Sequence, residues 1–187
     1  MLPTDELVAE AKATKAQFVD LSELSDPVTQ YMLQYWMDKK GARPMPLPIE
    51  MNFAGFARHA AKITLIGVEH DPLRFPVRLA GEEVIANLGF NPKGRDVLSF
   101  NKELPGLGTL LQGFYTWLLS ERRPAAVRGT QDMLGKSYRS YEAIYLPLSS
   151  DGENIDRFMD VTVTYLESMN LRRQTAALRP RGPFMGA

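Results

Sequence analysis

The chain has 187 residues, of which 44% are hydrophobic and 24% are charged, a composition typical of an ordinary folded protein with one main domain. Basic and acidic residues both number 22, so the net charge is zero and we expect no nucleic-acid partner. There are no cysteines, which excludes disulfides, thiolate catalysis and cysteine-ligated metals. We find no signal peptide and no run of about 18 apolar residues, and we therefore expect a cytoplasmic protein without a membrane span.

The first 48 residues are predicted to be helices and a connector that precede the main domain. Residues 1–24 have a loose amphipathic pattern, which predicts a helix. A second helix is predicted from Pro27, a residue suited to a first helical turn, to Lys40, just before a C-capping Gly41. Its apolar residues recur at helical spacing, so this helix must pack on the sheet or on a second subunit. Three prolines in residues 42–48 predict an extended connector.

The stretch from Ile63 to Gly81 predicts the β-hairpin around which the domain is arranged. Ile63–Val68 is almost wholly apolar, and apolar side chains alternate with other types from Phe75 to Leu79. Pro76 cannot donate a hydrogen bond to a neighbouring strand, so the second strand of the hairpin should lie at an edge of the sheet.

The rest of the chain alternates between helical and extended patterns. Helices are predicted over residues 82–90 and 104–119, and strands over residues 126–133, 138–148 and 155–166. This order predicts an α+β fold, a five-stranded antiparallel sheet with helices on one face and an N-terminal helical extension. The main domain is expected over residues 49–167. Residues 168–187 are rich in arginine, and we expect a basic, flexible tail.

Several short motifs occur in a distinctive order. They are Trp36, the Gly41-Ala42-Arg43-Pro44 segment with Pro48, the Phe75–Gly81 segment, Gly94-Arg95-Asp96, Tyr141-Glu142, Leu146-Pro147-Leu148 and Asp151-Gly152. Together they resemble a family of small stand-alone PAS-domain proteins common in alphaproteobacteria. The resemblance covers residues 36–166 and implies two strands, a run of helices and three further strands. It also implies sensing or regulation, and no common reaction.

The space between the sheet and the helices is the predicted site for a small organic ligand. Its candidate binding residues are Val77, Arg78, Leu79, Arg95, Phe114, Tyr115, Trp117 and Glu142. Strand alternation places Glu142 on an apolar face, where a carboxylate needs a cationic partner. We expect Arg95 or Arg78 to be that partner. The pair either defines the fold or anchors a ligand, and the first reading is favoured.

Other motifs point to no chemical activity. Gly135-Lys136-Ser137 lacks the earlier glycine of a phosphate-binding loop and precedes a strand, so it predicts a turn. His70 lies beside Glu69 and Asp71, a cluster that could form a general base. Neighbouring side chains along a strand point to opposite faces, however, so we favour a surface turn. The PAS resemblance implies that a haem would be held by a histidine on the helices between the two groups of strands. Residues 82–121 contain no histidine, so we expect no haem. The absence of cysteine argues against a cysteine-adduct flavin. The cofactor stays unknown, and we expect no catalytic or metal-binding residues and no enzymatic activity.

Two functions remain open at this stage. In the first, a cytoplasmic sensory or regulatory PAS-like domain binds a small organic ligand and signals through protein contacts, as a homodimer or with a signalling protein. In the second, the chain is a ligand-free module for dimerisation or for docking a partner, through the helix that contains Tyr31 and Trp36 or through the exposed sheet.

Overall fold

The computed structural model describes residues 15–166, and within them six strands form one antiparallel sheet. The strands are β1 (Gln17–Val19), β2 (Ile63–Gly67), β3 (Val77–Ala80), β4 (Ala125–Gln131), β5 (Lys136–Leu148) and β6 (Arg157–Leu166). Their order across the sheet is β1-β4-β5-β6-β2-β3. The predicted helix over residues 1–14 and the predicted tail lie outside the described residues.

Within the described residues, four α-helices accompany the sheet: α1 (Pro27–Lys40), α2 (Phe53–Phe56), α3 (Glu82–Leu88) and α4 (Leu107–Glu121). A 3-10 helix (Val97–Lys102) lies between α3 and α4. The predicted α+β class is confirmed.

The β2–β3 hairpin has the predicted placement. β3 pairs only with β2 among the described strands and forms an edge of the sheet, as Pro76 indicates. β2 lies between β6 and β3, which explains why its sequence is apolar. The hairpin therefore joins the sheet edge to the long β5–β6 pair.

The two faces of the sheet are both covered, whereas the sequence predicts helices on one face. Alternation along β5 points Tyr145 to the inner face, toward α3 and α4, and Glu142 to the opposite, outer face. Helix α1 packs against β5 and β6 on the outer face. Its Trp36 is 2% exposed and donates a 2.8 Å hydrogen bond from Nε1 to the Pro147 carbonyl oxygen. The apolar stripe of α1 is thus buried against the sheet.

The N-terminal segment differs from the prediction. The expected helix through residues 17–24 is wrong, because Gln17–Val19 is strand β1 and Leu21–Glu23 is a 3-10 helix. β1 pairs with β4 through three residue pairs and makes a sixth strand at this edge of the sheet. An amphipathic pattern of this length is compatible with one long helix and also with a strand followed by a short helix. Pairing with β4, which is distant in the sequence, stabilises the strand.

Candidate functional site

A cavity of about 230 Å³ lies between the inner face of the sheet and the helices. It is bounded by residues of all six strands, of α3 and α4, and of the 3-10 helix before α4. Its aromatic members are Phe18, Phe100, Phe114, Tyr115, Tyr141 and Tyr145. The rings of Phe114 and Tyr145 are in edge contact, with centroids 4.6 Å apart. Such a concave, largely apolar space with few polar groups is the usual form of a small-molecule site.

One acidic side chain lies in this cavity. Asp160 of β6 is 4% exposed and faces Tyr145 across the β5–β6 pair. The Tyr115 hydroxyl on α4 donates a hydrogen bond to Asp160 Oδ2. Within residues 15–166, the other oxygen, Oδ1, is buried and has no hydrogen-bond partner. A buried polar atom without a partner costs free energy, so this oxygen is a candidate contact for a ligand.

The pKa of the Asp160 carboxyl is unusually high. Burial raises its pKa to about 8, and the hydrogen bond from Tyr115 opposes that rise in part. Burial, together with the negative charge of Asp160, also raises the pKa of Tyr115 well above its usual value. Tyr115 therefore stays neutral and keeps its hydroxyl as a donor. In the protein alone, the Asp160 carboxyl is mostly protonated at pH 7.

The other polar groups of the cavity are neutral. Gln131, at the far end of β4, also has a buried Oε1 without a partner among the described residues. Thr64, Thr130 and Thr162 add hydroxyl groups to the lining. Among residues 15–166, no lysine, arginine or histidine lines the cavity. The cavity thus offers hydroxyl and amide groups that can donate or accept hydrogen bonds, and one acid, but the described residues place no cationic side chain there that would neutralise an anion.

A family model described as a PAS domain matches residues 24–163. The chain belongs to the PAS domain family. Membership in this family indicates a sensory or regulatory domain. The finer resemblance to stand-alone proteins of alphaproteobacteria stays a prediction.

The PAS domain is also similar to a solved structure described as an RNA-binding light-oxygen-voltage receptor. The two share 13% sequence identity with a TM-score of 0.47. The match covers 88% of this chain and 42% of the receptor chain, so the PAS domain spans less than half the length of that receptor. RNA binding is stated for that receptor alone. No curated protein matches the chain.

Three of the eight predicted site residues lie at the cavity of the PAS domain: Val77, Phe114 and Tyr115. The other five do not line it. Leu79 is 39% exposed on the edge strand, and Trp117 packs against Phe18 with ring centroids 4.8 Å apart. The ligand-binding role of all eight residues stays a prediction.

The charged candidates form separate pairs. Arg78 Nη2 lies 2.6 Å from Glu69 Oε1, within the β2–β3 hairpin. Arg95 Nη2 lies 2.8 Å from Glu103 Oε2, at the 3-10 helix before α4. The predicted pairing of Arg78 or Arg95 with Glu142 is therefore wrong. Both arginines have acidic partners close in sequence, while Glu142 lies on the other side of the sheet.

Glu142 anchors the start of α1 to the outer face. Its carboxylate accepts hydrogen bonds from both the backbone N–H and the hydroxyl of Ser25, from the Asp26 N–H, and from the Thr29 hydroxyl. Arg128 of β4, directly opposite in the register, donates from Nε at 2.8 Å. Burial pushes the pKa of Glu142 up, but these hydrogen bonds outweigh it and hold the pKa below its ordinary value. This site is a structural anchor, separated from the cavity by the sheet.

Asp160 was missed by the sequence reasoning, although a signal for it exists. It is the one charged residue in the run from Phe158 to Val163, in the middle of a predicted strand. Alternation puts Asp160 on the same face as Phe158 and Thr162. A lone carboxyl at such a position is a candidate functional group.

The remaining motifs contribute no site to the described part of the chain. Gly135 has φ +67° and forms the turn between β4 and β5, as predicted. Within residues 15–166, no three His, Cys, Asp or Glu side chains are grouped closely enough to hold a metal ion. None of the helices described is long and apolar enough to cross a membrane.

Proposed function

We propose that this PAS domain is a sensory domain that binds a small organic ligand in the cavity between the sheet and the helices. The observation that carries the proposal is Asp160, a lining residue of an apolar cavity of about 230 Å³ whose buried Oδ1 has no hydrogen-bond partner within residues 15–166. A cavity of about 150 Å³ holds benzene, so this one has room for a molecule of about nine or ten non-hydrogen atoms.

The ligand would signal through protein contacts made by β1 and α4. Ala16, Gln17 and Phe18 border the cavity, and the Phe18 ring packs on Phe114 of α4 at 6.0 Å between centroids. A molecule in the cavity therefore touches the segment that joins the sheet to the N-terminal residues. A change in the position of β1 is the route by which occupancy would reach a partner or a second subunit.

A cavity-filling variant tests the proposal. Leu111 borders the cavity from α4, and Leu119 lies on the same helix away from it. We expect toluene, a neutral probe, to shift cavity resonances in NMR spectra of the full chain and of Leu119→Trp. In Leu111→Trp, the indole occupies the space and these shifts disappear. Native mass spectrometry of freshly purified protein adds a direct search for a retained molecule.

The proposal fails if toluene leaves the spectra of the unchanged chain untouched and no small molecule is retained. It also fails if Leu111→Trp and Leu119→Trp respond to toluene in the same way, because binding would then lie elsewhere.

The second candidate is a ligand-free module that associates with a second copy of itself. It is favoured by two large apolar side chains on the surface, Ile49 at 84% and Phe53 at 61% exposed. Light scattering tests it: Phe53→Lys would convert a dimer to a monomer. A chain that is monomeric before the substitution contradicts this candidate.

We further propose that the domain acts in the cytoplasm and catalyses no reaction. The sequence supports this through the absence of cysteine and of a nucleophile paired with a base. Incubation with candidate ligands, followed by mass spectrometry of the ligand pool, tests for turnover. A stoichiometric complex with unchanged ligand is the expected result.

A further inference from the structure

The chemical class of the ligand can be argued from the charges at the cavity, an inference that rests on the proposed function. Asp160 is the acidic residue of the lining, and no basic side chain in the described chain accompanies it there. The groups that face it are the Tyr115 hydroxyl from α4, Tyr145 from β5 and Thr64 from β2. None of them carries a positive charge.

A buried carboxylate is stabilised mainly by a cation. Among the described residues, no side chain of the lining supplies that cation to Asp160, in contrast to Glu142, which has Arg128. Asp160 Oδ2 is already occupied by Tyr115, whereas Oδ1 is left for a donor. A ligand with an ammonium group would supply both the charge and the missing hydrogen bond.

The walls around this carboxyl suit such a ligand. Phe114, Tyr115 and Tyr145 present aromatic rings, which attract a cation through their faces and pack against an aryl group through their apolar area. An anionic ligand would meet an acidic group and no counter-charge. The lining thus selects against carboxylates and phosphates and in favour of cations with an apolar body.

We propose that the ligand is a primary arylalkylamine of about nine or ten non-hydrogen atoms, whose ammonium group pairs with Asp160 Oδ1 while its aryl group lies among the aromatic rings. Tyr115 keeps its hydrogen bond to Oδ2 and fixes the orientation of the carboxylate. Binding requires the carboxyl to be ionised, so the amine displaces a proton at neutral pH.

Three probes of matched shape test the proposal by calorimetry on the full chain at pH 8. 2-Phenylethylamine, 2-phenylethanol and phenylacetate differ mainly in the charge of one end group. We expect the amine to bind at least about tenfold more tightly than the alcohol, and phenylacetate to bind most weakly. Asp160→Asn, which keeps the shape of the side chain, should lose the preference for the amine and keep the binding of the alcohol. Binding of the alcohol by the variant shows at the same time that it is folded.

The pH dependence gives a second readout. With a carboxyl pKa of about 8 in the free protein, the affinity for 2-phenylethylamine should rise about fifty-fold from pH 6 to pH 8. The affinity for 2-phenylethanol should show no such rise, and neither should amine binding by Asp160→Asn.

Equal or tighter binding of the alcohol overturns the proposal, and so does an amine preference that survives in Asp160→Asn. If toluene binds the cavity while the amine does not, the inference falls and the proposed function stands. If none of the four probes binds and no small molecule is retained by the purified protein, both fall.

Discussion

Replacing Glu142 by glutamine would remove the charge that holds α1 on the outer face. Its carboxylate accepts hydrogen bonds from Ser25, Asp26, Thr29 and Arg128, and the Glu142 side chain is 2% exposed. Glutamine keeps one acceptor oxygen but turns an N–H₂ group toward donors, and it leaves Arg128 without its counter-charge. Breaking a buried ion pair costs about 3–5 kcal/mol. The Arg128 side chain is 31% exposed, so water compensates in part, and we expect a loss of about 3 kcal/mol in the free energy of unfolding.

Thermal and urea unfolding measure this loss. For a chain of this size, about 3 kcal/mol lowers the Tm by roughly 6–12 °C. The matched control is Glu103→Gln, which breaks the pair with Arg95 on the surface, where Glu103 is 41% exposed. An exposed pair contributes little to stability because water and salt screen it. Glu142→Gln should therefore cost clearly more than Glu103→Gln.

Acid provides an independent check on the same residue. The pKa of Glu142 is lowered in the folded protein, so its contribution is complete above the ordinary pKa of 4.5 and is lost as the pH falls through the folded value. The difference in stability between the unchanged chain and Glu142→Gln should shrink below pH 4.5. Toluene binding should be unaffected, since Glu142 lies on the opposite face from the cavity. A cost no larger than that of Glu103→Gln would refute the anchoring role.

Three further predictions concern the inner face and the hairpin. The raised pKa of Asp160 makes the folded state less stable as the pH rises from about 4 to 8, and Asp160→Asn removes this effect. The variant's gain in the free energy of unfolding should therefore be about 3–4 kcal/mol larger at pH 8 than at pH 5. A gain independent of pH contradicts this. Tyr115→Phe removes a donor to Asp160, so the carboxyl pKa measured by NMR titration should rise above about 8, and an unchanged or lower value argues against the hydrogen bond. Gly81→Ala places a Cβ 2.2 Å from the Ala60 carbonyl oxygen and should lower the Tm in thermal melts. In Gly67→Ala, the nearest atoms to the new Cβ belong to the movable Arg78 side chain, so the Tm should fall less. Equal effects of the two substitutions contradict the close approach at Gly81.

The parts of the fold predicted from sequence are those with local signals. Helix α1 has a proline near its start and Gly41 at its end, and Pro76 alone indicates an edge strand. β1 has no such signal, because three residues acquire their conformation from pairing with β4. The outer-face position of α1 depends on tertiary packing, which its apolar stripe permits but does not specify.

The candidate site was less accessible to sequence reasoning. The partner of Glu142 could have been found: a β4–β5 hairpin centred on Gly135 places Arg128 directly opposite it. Arg78 was preferred because it lies on a strand that otherwise faces a core, and Arg95 because it follows a turn glycine, but neither feature shows that the arginine shares a face of the sheet with Glu142. The space between the sheet and the helices was the predicted ligand site, but the volume left open there could not be predicted, since it depends on how large side chains from six strands and two helices meet.

The attachment of β1 has a kinetic consequence for a bound molecule. β1 borders the cavity, yet it is joined to the sheet by three residue pairs. Ser25 and Asp26, a few residues after β1, are held on the sheet by Glu142, so β1 can detach and re-form its pairs while the rest of the domain stays folded. A ligand that leaves past β1 would then be released at a rate set by how often β1 detaches. Tension applied to the chain ahead of β1 would shorten the residence time of the ligand while leaving the contacts inside the cavity as they are.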